Sequence, residues 1–113
     1  MKSEETNQLM HTLIKCITAC EYCATLCLRE DDVAMMARCI MLNRDCADIC
    51  ALTSRFIARN SEHAMHVMRE CIEICRACAE ECNKHDHDHC KHCAEICTEC
   101  AEQCEEYISA KAV

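Results

Sequence analysis

Positions that a soluble helix would give to leucine or valine recur along this chain at alternating intervals of three and four, and cysteine fills most of them. The first run is Cys16, Cys20, Cys23 and Cys27, and the third is Cys71, Cys75, Cys78 and Cys82. The fourth is Cys90, Cys93, Cys97, Cys100 and Cys104; the second is sparser, with Cys39, Cys46 and Cys50. Residues three and four apart stack on one helix face, so each run marks the inward stripe of an amphipathic helix. The pattern predicts helices over about residues 4–28, 31–58, 60–83 and 89–109, with 84–88 connecting the last two. Ser3, Asp31 or Asp32, and Asn60 or Ser61 have the chemistry to cap the first three. Connections this short force neighbours to be antiparallel, so the expected fold is an all-α, up-down-up-down four-helix bundle with a cysteine-lined core.

The two halves repeat. Cys16-Ile17-x-x-Cys20-x-x-Cys23-Ala24-x-x-Cys27 matches Cys71-Ile72-x-x-Cys75-x-x-Cys78-Ala79-x-x-Cys82 at an offset of 55, and Cys39, Cys46 and Cys50 match Cys93, Cys100 and Cys104 at 54. The expectation is one domain, residues 1–113, made of two helical hairpins over about 4–58 and 61–109. In this alignment Met36 stands where the second half has Cys90, and Asn43 where it has Cys97. Met36 reads either as an inward thioether able to bind a soft metal or as gap-filling core. Asn43 reads as an interior polar residue bonded to its neighbours.

Composition sharpens the picture. There is no glycine and no proline, where average usage predicts about eight and six, so the usual turn punctuation is missing. The 51% hydrophobic content falls to about 37% once the 16 cysteines among 113 residues are set aside, and only Tyr22, Phe56 and Tyr107 are aromatic. An ordinary core would be thin. Bound metal, held only by the folded state, would make up the difference. Twenty acidic against 12 basic residues give a net charge of −8 and argue against nucleic acid as a partner. No apolar run approaches the ~18 residues that span a bilayer, and the polar, acidic MKSEETNQ start is unlike a signal peptide. A cytoplasmic protein with reduced thiols is expected.

Three readings of the thiol stripes compete. Cysteine as a small hydrophobe explains one or two positions, not sixteen in register. A disulfide scaffold would need interhelical bridges, because bridges three or four apart within a helix are strained. Thiolate metal binding explains the whole pattern. Zinc and iron–sulfur sites want four ligands at a point, usually from knuckles, whereas these ligands form lines along a tube. Cu(I) is soft, prefers thiolate and thioether sulfur, and accepts two-coordinate sites with bridging thiolates, which gives about one ion per cysteine. Each Cu⁺ replaces one thiol proton, so filling the tube adds no net charge to a dry interior. A zinc or cadmium buffer, at about one ion per four thiolates, is the alternative.

These stripes, the cysteine tally and the short loops resemble the bacterial copper storage proteins over nearly the whole chain. The resemblance implies Cu(I), many ions per chain, held by the sixteen cysteines. It also implies assembly as a tetramer and, without a leader, the cytosolic branch of the family. Copper ions, further copies of the chain and a copper chaperone are the implied partners.

Alternating helices gather the 1–2 and 3–4 connections at one end, bringing Met35 and Met36 toward Cys27, Cys82, Cys90, His85, His87 and His89. Family members are similar in carrying His or Met at a bundle mouth, so this end is the expected doorway for Cu(I). The plainer reading of His-Asp-His-Asp-His is a solvated loop, or an incidental divalent-metal site. At the other end the stripes run into Leu9, Leu13, Ile57, Met68 and Ile108, an apolar plug. His11, His63 and His66 fall outside the inward phase. A second stripe, Met10, Ile14, Ile17, Ala24 and Leu28 with Ile40, Leu42, Ile49, Leu52 and Phe56, faces away from the core and predicts a contact with another subunit. No cysteine is singled out by a positioned His–Asp pair, so an enzyme is not expected.

Overall fold

Ser3 opens the first helix as its chemistry predicts, accepting the Thr6 N–H at 3.1 Å, with Glu4 and Glu5 in the first turn where the helix dipole favours negative charge. The computed structural model describes residues 3–111. In it α1 spans Glu4–Cys27, α2 Ala37–Ala58, α3 Ala64–Cys82 and α4 Asp88–Lys111.

Two helix starts differ from the expectation, each for a local reason. Asp32 does act as a cap, accepting the Met35 N–H at 3.2 Å, but the turn it starts is a short 3₁₀ segment, Val33–Met36, and α2 follows it. The tighter 3₁₀ winding turns Met36 inward and leaves Met35 67% exposed. Asn60 ends α2 instead of starting α3. Its φ is 53°, Ser61 N–H reaches Phe56 O at 2.9 Å and Asn60 N–H reaches Ile57 O at 3.0 Å. That is a Schellman stop, and in a chain without glycine asparagine is the residue that tolerates the left-handed conformation. Ser61 accepts the His63 N–H at 3.1 Å, and α3 begins only at Ala64.

α1 packs on α2 and α4, and α3 packs on the same two, forming an antiparallel bundle of 47 × 21 × 20 Å. All sixteen cysteines lie on its axis at 0% exposure. One end is closed by Leu9, Leu13, Ile57 and Met68, with Ile108 half-buried against them. Each of these large apolar side chains contributes about 1.5–3 kcal/mol by leaving water. Hydroxyl contacts lace α1 to α4 near this end: Thr6 Oγ1 to Tyr107 OH at 3.0 Å, and Thr12 to Gln103 at 2.7 Å. The connections 28–32 and 83–87 meet at the other end. Outside, Ile14, Leu28 and Leu52 are exposed and Met10, Ile17, Ile40, Leu42, Ile49 and Phe56 half-buried, as the second stripe predicts. Ala24 departs from that stripe and is buried. His11, His63 and His66 are exposed.

Candidate metal centre

The helical phase that stacks cysteines along each helix also brings the four stripes face to face, so most sulfur contacts cross between helices. Cys39–Cys82 and Cys46–Cys75 lie at 3.5 Å, Cys20–Cys97 at 3.6 Å, Cys50–Cys71 at 3.7 Å and Cys16–Cys46 at 3.8 Å. Within helices, Cys71–Cys75 lie at 3.8 Å and Cys23–Cys27 and Cys93–Cys97 at 3.9 Å. All sixteen thiols are free, and these separations are far from the ~2.05 Å of a disulfide. They match the ~3.8 Å edge of a sulfur cage around an ion with bonds of ~2.3 Å.

The cages overlap. Cys16, Cys46, Cys50 and Cys75 form one group with sulfurs within 4.8 Å of one another; Cys16, Cys20, Cys46 and Cys97 form the next, and Cys50, Cys71, Cys75 and Cys100 another. Cys16 and Cys46 belong to two of these groups, as do Cys50 and Cys75, so neighbouring ions in the tube would share their sulfurs. Towards the mouth Cys23, Cys27, Cys39 and Cys90 make a further group. Cys104 continues the line past Cys100, also fully buried, and its thiol is pushed up by its neighbours Cys100 and Cys71.

Asn43 interrupts the α2 stripe and bonds to thiols of α2, α3 and α4. Its Oδ1 accepts from Cys78 at 3.2 Å, Cys93 at 3.4 Å and Cys82 at 3.5 Å, and its Nδ2 donates to Cys39 at 3.7 Å. An amide oxygen is a hard donor, ill-matched to a soft ion, but it is a good acceptor for protonated thiols in the metal-free tube.

Packed thiols ionise at one another's expense. Cys23 is drawn down to about 6, chiefly by hydrogen bonds with Cys39 and Cys82. Beside it, burial pushes Cys27 and Cys90 up, and the Cys23 charge adds to the effect. Deeper in, contact with Cys100 raises Cys75 and contact with Cys16 raises Cys97. The mouth thus carries one thiol that ionises readily, next to a histidine.

That histidine is His89. Its Nδ1 lies 3.5 Å from both Cys23 and Cys90 and 4.0 Å from Cys27, while Nε2 reaches Glu30 Oε2 at 2.8 Å. His87 Nδ1 lies 3.4 Å from the same carboxylate oxygen, and the two rings stack at 5.4 Å. Burial works to lower His89, but its hydrogen bonds with Cys23 and Glu30 outweigh that and hold it above its usual range. The His89 hydrogen bond holds Glu30 below the usual carboxylate range. His85 lies further round the mouth, its Nε2 3.0 Å from the buried Glu81, which also holds Arg38 at 3.2 Å and Lys84 at 3.5 Å. Burial acts to raise Glu81, but His85 and Lys84 more than offset it and its carboxyl is lowered. Met36 is buried in the same core as the mouth cysteines and Met35 is exposed, yet both line a rim cavity of about 400 Å³ with His85 and His87.

Residues 2–109 match the family described as copper storage protein. The chain belongs to the copper storage protein family. It is similar to a Cu(I)-bound copper storage protein, BsCsp3, at 42% identity over 91% of this chain and 97% of that one, with a TM-score of 0.87. A cytosolic copper storage protein from Streptomyces lividans, in a copper-loading structure with five coppers, is 34% identical over 94% of this chain and 93% of its own, with a TM-score of 0.90. A cysteine-rich protein of Bacillus subtilis (strain 168), YhjQ, is 47% identical over 78 residues, 69% of this chain and 72% of that protein.

Three features of the site were not legible in the sequence. Glu30 and Glu81 look like ordinary surface acids, yet each anchors mouth histidines; only the meeting of the connections reveals them. Thr53 is the third. Thr12, Thr18, Thr25 and Thr98 each donate to the carbonyl four residues back, at 3.2, 3.0, 3.0 and 2.8 Å. The Thr53 hydroxyl, fully buried between Cys50 and Ile57 on α2, has no hydrogen-bond partner among the described residues. Its spacing from Cys50 (three residues) could have placed it on the inward face.

Proposed function

We infer that the chain takes up and stores many Cu(I) ions within the bundle, through bridging thiolates of Cys16, Cys20, Cys23, Cys27, Cys39, Cys46, Cys50, Cys71, Cys75, Cys78, Cys82, Cys90, Cys93, Cys97, Cys100 and Cys104. The observation that carries this is the sharing of sulfurs between successive buried cages. An array of isolated tetrahedral Zn²⁺ sites would need four sulfurs of its own for each ion and would leave two excess negative charges per site in a dry core. A monovalent ion per thiolate leaves none. Family membership and the Cu(I)-bound relatives point the same way.

The doorway is the His/Met end. Cys23 ionises most readily there, His89 sits against it, and Met36 offers a thioether; His85, His87 and Met35 form the outer rim. Incoming Cu(I) passes from imidazole and thioether to stronger thiolates, and the released thiol protons leave as the ions arrive. The Glu30–His89–Cys23 line has the elements of a nucleophile, base and orienting carboxylate, but Cys23 has no exposed surface and belongs to a buried four-cysteine cage, which favours storage.

The exposed apolar face along α1 and α2 supports assembly as a homo-oligomer, a tetramer by the family resemblance, with a copper chaperone as exchange partner. No helix among the described residues is long and apolar enough to cross a membrane, and one close relative is a cytosolic copper storage protein; the proposed location is the cytoplasm. An anaerobic Cu(I) titration of the reduced protein against a chromophoric chelator tests the reading. Saturation well above ten ions per chain is expected. Saturation near four, with zinc outcompeting copper, would replace it with a zinc buffer.

A further inference from the structure

We propose that Glu30, His87 and His89 form a separate site for a borderline divalent cation of the Zn²⁺ class at the mouth of the tube. One carboxylate oxygen of Glu30 faces two imidazole nitrogens, His89 Nε2 at 2.8 Å and His87 Nδ1 at 3.4 Å; the two rings stack in parallel, so one of them must turn for both lone pairs to meet on one ion. A tetrahedral ion with bonds of ~2.0–2.2 Å to nitrogen and oxygen sets its donor atoms ~3.3–3.5 Å apart. The His87–Glu30 edge already has that length, and a sub-ångström opening of the His89–Glu30 contact brings the second carboxylate–imidazole edge to it. Two imidazoles and a carboxylate are the donors zinc takes in sites that keep a fourth position open. Cu(I) has thiolates one step further in and prefers them.

The surroundings favour a dication. Asp31, Asp32 and Asp86 line the same cavity as Glu30, against one lysine, Lys84. The donors also come from two different connections: Glu30 lies just beyond α1, His87 just before α4 and His89 in its first turn. An ion held by all three would tie the two connections together across the entrance. It would also fix His89 by Nε2 and leave Nδ1–H to hydrogen-bond to Cys23 and Cys90, so that the imidazole no longer passes Cu(I) inward. The ion is a latch: it leaves capacity alone and slows exchange. Only this consequence rests on the copper-storage reading; the site itself does not.

The test uses the full chain saturated anaerobically with Cu(I), so that the thiols are occupied, dialysed against Zn²⁺ alone, with copper and zinc counted in the same samples. One zinc per chain is expected with copper undiminished, and Glu30→Gln or His87→Ala should weaken zinc retention at least tenfold. Chelator-driven copper removal should be several-fold slower with zinc in the unmodified chain and unaffected by zinc in Glu30→Gln. Zinc retained equally by the variants, no zinc retained, or zinc gained only as copper is lost would each overturn the site. The copper count reports the storage reading independently.

Discussion

Asn43 Oδ1 accepts a hydrogen bond from Cys78 Sγ at 3.2 Å, an amide set among thiols where the α2 cysteine stripe is broken between Cys39 and Cys46. The same oxygen serves Cys82 and Cys93, so the residue stabilises the protonated, empty tube more than the loaded one. Replacing Asn43 by Ala removes these bonds at about 0.5–1.5 kcal/mol each for ordinary donors, less for weak S–H donors. The metal-free, reduced protein should lose about 1–2 kcal/mol in urea unfolding. Asn43→Cys should raise Cu(I) capacity by about one ion, read by metal analysis after titration.

The mouth controls rate rather than amount. Met36→Leu combined with His85, His87 and His89→Ala should slow both loading and chelator removal while leaving final stoichiometry within about two ions of the parent. Stopped-flow loading against a chromophoric Cu(I) chelator reads this. Unchanged rates in both directions would rule out the doorway.

Acid and base act on the mouth with opposite signs. Glu81 is depressed in the folded protein, so the stability it contributes is present above the ordinary carboxylate pKa of about 4.3 and disappears as pH falls through its lowered value. His89 is raised, so its contribution is complete below about 6.5 and fades as pH rises through its folded value. The unfolding free-energy difference between parent and Glu81→Gln should therefore be flat above about pH 5 and shrink on acidification. The difference for His89→Ala should shrink on the alkaline side.

The closed end is ordinary apolar packing and should behave so. Leu13 has no exposed surface; Leu13→Ala should cost about 2–5 kcal/mol in the metal-free protein and leave copper capacity unchanged. Copper bound only by the folded state should recover much of that loss, seen as a large rise in Tm on loading.

Ile14, 55% exposed on the outer stripe, has no partner surface within one chain to justify its position. Ile14→Glu together with Leu52→Glu should shift the protein to smaller species in sedimentation velocity while each chain keeps its copper. An unchanged sedimentation coefficient would remove this face as the subunit contact.

What the sequence by itself determined is periodic. Steps of three and four can only be one face of a helix, and a thiol face carried by all four helices, broken in α2 at Asn43, has only the bundle axis to occupy, so the fold, the buried cysteines, the apolar plug and the interior role of Asn43 all followed from spacing. Only the tertiary structure decided what depends on two segments meeting. No periodicity links Glu30 to His89, 59 residues apart, or reveals that Cys23 is the most acidic thiol of the mouth, because those properties arise from distances across helices. Local backbone geometry decided the rest: a 3₁₀ turn separated Met36 from Met35, and the left-handed Asn60 ended one helix where capping chemistry alone suggested the start of the next.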